Sequence, residues 1–177
     1  MGLRFENLDD ETRKLMLAEV ELDLKTGELN YSRYMRPIAK EPYPVLLKES
    51  VSKHNDDWLA AEIKTAELLE EKTSRTDKKT GKVIEQDVRH DAHIQFAEGE
   101  FNRFYIRALC VRTLAAGKKA VQVYRAKEAK EERPQSQALI GKEVDAAELL
   151  KDLRGNKAES IYKVPGGPGS GLSVRLT

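Results

Sequence analysis

The sequence predicts an α+β fold: a mainly helical single domain with a small sheet and extended N- and C-terminal arms. Apolar residues recur at helical spacing across residues 11–25, 58–72 and 93–117. Two short segments, Ala120-Val121-Gln122-Val123-Tyr124 and Leu172-Ser173-Val174-Arg175-Leu176, have the alternation and β-branching of strands. A Pro/Gly/Ser run at 165–171 has linker composition. Together these divide the chain into a compact α+β domain over residues 1–162 and a Pro/Gly arm with a terminal strand over residues 163–177.

In chain order, Leu15, Ala18 and Leu22, with Met16, Val20 and Leu24 beside them, define the first helix. Its first turn is acidic, Asp9 or Asp10 is placed to cap it, and Gly27 is its stop. Pro37, Pro42 and Pro44 then favour an ordered connector that presents Tyr31 and Tyr34. A short helix is expected over 45–53, and Asn55-Asp56-Asp57 caps a second amphipathic helix over 58–72, with Trp58, Leu59, Ile63 and Ala66 on one stripe. Residues 72–88 read as a polar hairpin or loop, turning at Asp77-Lys78-Lys79-Thr80-Gly81. The broad apolar face of 93–117 marks the central helix. A strand at 120–124, a charged excursion at 127–134, a short helix at 145–153 and the terminal strand complete the order.

Composition sets limits on function. The 177 residues carry 31 Lys+Arg against 30 Asp+Glu, a net charge of +1, so a surface wholly built to bind nucleic acid is excluded, while a local basic face is not. The single cysteine, Cys110, cannot form an internal disulfide, and its apolar helical setting points to a buried inert thiol in a reducing compartment. Neither a long apolar run nor an apolar signal core is present, so no membrane partner is expected and the chain reads as cytoplasmic when made.

Chemistry-bearing residues crowd in few places. In His90-Asp91-Ala92-His93 the two histidines would share a face on a helix, with Asp87 or Glu100 to complete a metal site, and would face opposite sides on a strand; the spacing matches no established ligand template. The alternative is the solvated capping segment of the next helix. Asp87 with Glu98 or Glu100 offers carboxylates for Mg²⁺, without the paired-strand carboxylate and Glu-x-Lys core that a nuclease needs. A metal-dependent hydrolase or nuclease is therefore the least favoured class, and no cofactor is expected. Arg103, Arg107, Lys118, Lys119, Arg125 and Lys127 define a basic stretch able to track phosphates or meet an acidic partner; a solvated helix face with salt bridges is the plainer reading. The glycine-rich run at 166–171 has no Lys-Ser/Thr after it and fails as a phosphate loop.

The segment Glu98-Gly99-Glu100-Phe101-Asn102-Arg103-Phe104-Tyr105-Ile106-Arg107-Ala108-Leu109-Cys110, with Val123-Tyr124-Arg125-Ala126-Lys127 and the closing Ser170-Gly171-Leu172-Ser173-Val174-Arg175-Leu176, resembles small bacterial and prophage-associated proteins. That resemblance implies a phage setting and transfers no catalytic or binding residue. The expected function is a non-enzymatic structural or interaction protein, a phage-type virion component such as a head or neck adaptor or minor capsid-associated protein. Partners are then other proteins or further copies, met through Tyr31, Tyr34, Trp58 and a donated terminal strand with Leu172, Val174 and Leu176. The alternative is an intracellular nucleic-acid-binding protein using the basic stretch.

Overall fold

The computed structural model describes residues 2–128, 133–155, 160–167 and 169–177. Within them the fold is α+β and mainly helical, with six α-helices and two small antiparallel sheets. The helices are α1 (Asp10–Thr26), α2 (Pro42–Lys53), α3 (Asp56–Thr65), α4 (Ala92–Ala115), α5 (Pro134–Gln137) and α6 (Ala146–Gly155). The strands are β1 (Lys72–Thr76), β2 (Val83–Asp87), β3 (Ala120–Arg125), β4 (Glu143–Asp145) and β5 (Leu172–Leu176).

Local chemistry sets most boundaries. Asp9 caps α1 by accepting a hydrogen bond from the Thr12 amide at 2.9 Å, and Gly27 ends it in the left-handed conformation at φ 73°. Asn55 caps α3 in the same manner, accepting from the Trp58 amide at 2.9 Å. Helix α3 stops at Thr65, before the expected 72, because Glu67 takes φ 51° and Leu69 leaves the helix to bridge Met35. Backbone pairing with a distant connector has overridden a continuing apolar stripe.

Helix α4 is the axis of the core. Residues 101–110 are buried without a break, and α1, α3, α6, β3 and β5 pack around them. A helix enclosed on all sides has no solvent stripe to keep polar, so its arginines need internal partners. The larger sheet has the order β4-β3-β5, with Val121, Val123, Leu172 and Val174 buried against the helices.

The ends differ from the arms that composition suggests. Strand β5 pairs with β3 of its own chain in a register running from Val121↔Leu176 to Arg125↔Leu172. Leu172 and Val174 are core residues and Leu176 is half-buried, so this strand belongs to the domain and is not a free element for donation. Its outer edge is covered: Asn102 donates to the Leu172 carbonyl at 2.8 Å, and the Leu176 amide donates to Asn7 Oδ1 at 3.0 Å. Gly171 makes the entry to β5 feasible, since at φ 65° a Cβ there would lie 1.9 Å from the Lys127 carbonyl oxygen. At the other end, the Leu3 amide donates to Asp56 Oδ2 at 2.9 Å, and Phe5 packs on Phe101 and Tyr105 with ring centroids 5.1 and 4.7 Å away. Part of the charged excursion, residues 129–132, and Pro168 of the glycine run lie outside the described residues.

Candidate interaction surface

The basic stretch does not form one face. Arg107 is fully buried: its Nε donates to Glu19 Oε2 at 2.8 Å, while Nη1 and Nη2 bind the two Asp23 oxygens at 2.7 and 2.8 Å. Burial alone would raise the Glu19 pKa, yet the guanidiniums of Arg154 and Arg107 hold it below its ordinary value. Arg103 is also buried and donates from Nε to the Leu153 carbonyl at 3.1 Å, which ties α4 to α6. Both residues are structural ties and not solvent-facing phosphate contacts.

The remaining four cations scatter. Lys127 pairs with Glu98, Arg125 donates to the Ser170 carbonyl at 3.1 Å, and Lys118 reaches the Thr177 carbonyl. Lys118 and Lys119 are exposed beyond the C-terminal end of α4. Sequence offered one missed signal for the Arg107 cluster: Glu19 and Asp23 sit four residues apart beside Met16 and Val20, so the buried stripe of α1 carries two carboxylates. Such a stripe demands a buried cation elsewhere.

Among the expected contact aromatics, Tyr31 is exposed, with its edge on Tyr43 at 5.5 Å, whereas Tyr34 and Trp58 are half-buried. Trp58 stacks on His54 at 4.2 Å and lines a shallow concavity with Leu3, Phe5 and Arg13. Cys110 is buried, and burial pushes its thiol up to about 12, so it stays protonated near neutrality.

His90 and His93 do come together, on the wall of an open groove of about 720 Å³ at the root of the β1–β2 hairpin, with Arg36, Lys64, Glu67 and Glu70. Asp87 and Glu100 do not line it. Glu100 is turned into the core, where Oε1 accepts from Asn30 Nδ2 at 2.6 Å. Burial, and then Lys64, lowers the His93 pKa, favouring the neutral imidazole. Among the described residues no three His, Cys, Asp or Glu side chains gather as a metal site. Asp91 begins α4 without capping its amides and instead accepts from Arg89 and Gln95.

The feature that stands apart is the hairpin itself. Its register runs from Lys72↔Asp87 to Thr76↔Val83, and every residue of both strands is exposed except half-buried Thr73. Val83 is 72% exposed and Ile84 38%, on opposite faces of the ribbon. The turn is well specified: the Asp77 carboxylate accepts from the Lys79 and Thr80 amides at 2.7 and 3.0 Å, and Gly81 takes φ 69°. At its root the Val88 amide donates to the Glu71 carbonyl and the Glu70 amide to the Tyr34 carbonyl, both at 2.8 Å. The ribbon is thus anchored at one end and bare along both faces.

No family model matches the chain, and no curated protein or solved structure matches it. No helix among the described residues is long and apolar enough to cross a membrane.

Proposed function

We propose that this chain is a non-catalytic interaction protein and that the β1–β2 hairpin is its contact element. The observation that carries the reading is a five-rung ladder with a built turn and a pinned root but almost no packing on either face. An isolated two-stranded hairpin is at best marginally stable in water, so this ribbon adds little to the fold and gains ordered packing when a partner covers it. The core supports the non-catalytic half of the reading: Arg103 and Arg107 are engaged in fixed bonds, and the Cys110 thiol is buried and protonated. A virion setting, with the chain as a head or neck adaptor or minor capsid-associated protein, is the assembly that the resemblance implies.

The test replaces residues 72–87 with a short Gly/Ser link and follows thermal unfolding and solution mass by light scattering. The expected result is a melting temperature within a few degrees of the full chain's, together with loss of any self-association the full chain shows. Severe destabilisation of the shortened chain would overturn the reading, because the hairpin would then be part of the fold.

A further inference from the structure

We infer that the tip of the β1–β2 hairpin is a binding element for double-stranded DNA. This deepens the proposed function and rests on it. Charge is sorted along the ribbon. The distal part, residues 75–82, carries Arg75, Lys78, Lys79 and Lys82 against Asp77 alone, a net charge of +3 on eight residues of a chain whose total is +1. The proximal part carries Glu70, Glu71, Glu85 and Asp87, with Lys72 paired to Glu85 at 2.8 Å. Among the described residues none of the four distal cations is in an ion pair with a carboxylate, and all four are exposed. The one distal anion is occupied, because its carboxylate is held by two turn amides, which also keep its pKa low.

Shape selects among polyanions. Two strands about 4.8 Å apart, extending roughly 16 Å over five residues, form a ribbon of the kind the B-DNA major groove, about 12 Å wide, admits. The deep, narrow major groove of duplex RNA does not admit side chains in this way. Single strands are held largely by stacking on aromatic side chains, and residues 72–87 contain none. The acidic root opposes phosphate approach beyond the tip, so contact is confined to residues 75–82. Four lysine or arginine contacts to phosphate with no base-reading constellation give sequence-independent binding, with dissociation constants of about 10⁻⁴–10⁻⁶ M at physiological salt.

The experiment measures fluorescence anisotropy of a labelled 20-bp mixed-sequence DNA duplex with the full chain, across 25–200 mM salt. The probe is compared with the same sequence as single-stranded DNA, as duplex RNA, and with labelled polyglutamate. The variant Arg75→Gln/Lys78→Gln/Lys79→Gln/Lys82→Gln, which alters only exposed side chains, is checked for an unchanged melting temperature. Expected are saturable duplex DNA binding with a slope of log K against log salt between about −3 and −4, at least tenfold loss in the fourfold variant, and about one unit less slope per single replacement. Weaker binding of the other three probes is also expected. No duplex DNA binding at 25 mM salt, or binding that the fourfold variant retains, would overturn the DNA inference. Polyglutamate bound as tightly as duplex DNA, and lost in the variant, would overturn it too and leave the hairpin as a contact for acidic proteins. If the variant changes no binding and the hairpin-replaced chain keeps its self-association, both readings fail together.

Discussion

Replacing Arg107 with Met tests the division of labour between a structural core and a separate contact element. The Arg107 side chain is 0% exposed, and its partners Glu19 and Asp23 are 7% and 6% exposed. Methionine keeps most of the volume while removing three charge-assisted hydrogen bonds of 2.7–2.8 Å. Glu19 retains Arg154, but Arg154 is 41% exposed, and Asp23 is left buried beside no cation that pairs with it among the described residues. Stranding a buried charge in this way costs about 3–5 kcal/mol. With an m-value of about 2 kcal/mol per molar urea, the midpoint should fall by about 2 M at pH 7 with little change in slope. Acid should close the gap. The depressed Glu19 pKa contributes stability that is present above its unfolded value and lost as pH falls through the folded one, and the variant, whose Glu19 has lost one of its two guanidiniums, has less of that stability to lose. A cost below about 1 kcal/mol at pH 7, or a deficit undiminished at pH 4, would refute the assignment of Arg107 as a buried counter-charge.

Three further outcomes are expected. Asp56, 1% exposed, has its pKa raised by burial from 3.8 to about 6, so its folded form favours the proton and stability is lost as pH rises through that window. Asp56→Asn should therefore stabilise the chain above pH 6 by up to about 3 kcal/mol and give little below pH 4; unchanged or lower stability at pH 7.5 would contradict this. Gly171→Ala places a Cβ against the Lys127 carbonyl at positive φ and should cost about 2 kcal/mol or more in urea unfolding, with a loss under 0.5 kcal/mol speaking against the close approach. Cys110 should react with an aromatic disulfide reagent only after denaturation, and prompt labelling of the native chain at pH 8 would show that the thiol is accessible.

Local signals made much of this fold legible. The α1 and α3 caps, the Gly27 stop, the extent of α4 and the strand at 172–176 all follow from residues within one or two turns of the feature they set. What escaped depends on distant partners. The buried face of α1 runs through Met16, Glu19, Val20 and Asp23, while Leu22 is exposed, because Arg107 approaches from 84 and 88 residues away. Helix α3 ends early because Leu69 finds Met35. Composition shows only the Pro/Gly run that would detach the terminal strand, whereas the β3 pairing that incorporates the strand is long-range. For residues 72–88 the sequence leaves a hairpin and a loop both open and carries the charge sorting itself, whereas the pairing and the bareness of both faces are visible only once the neighbours are placed.

If the bare, anchored hairpin is the contact element of an otherwise self-contained domain, backbone protection along it changes with a bound partner while that of the core does not. Amide hydrogen exchange of the full chain, with and without the 20-bp duplex, tests it most directly. Residues 72–87 should exchange fast in the free chain and gain protection with duplex, while residues 101–110 of α4 stay protected throughout. A hairpin as protected as α4 in the free chain would contradict the claim, since its ladder would then already be held by the fold.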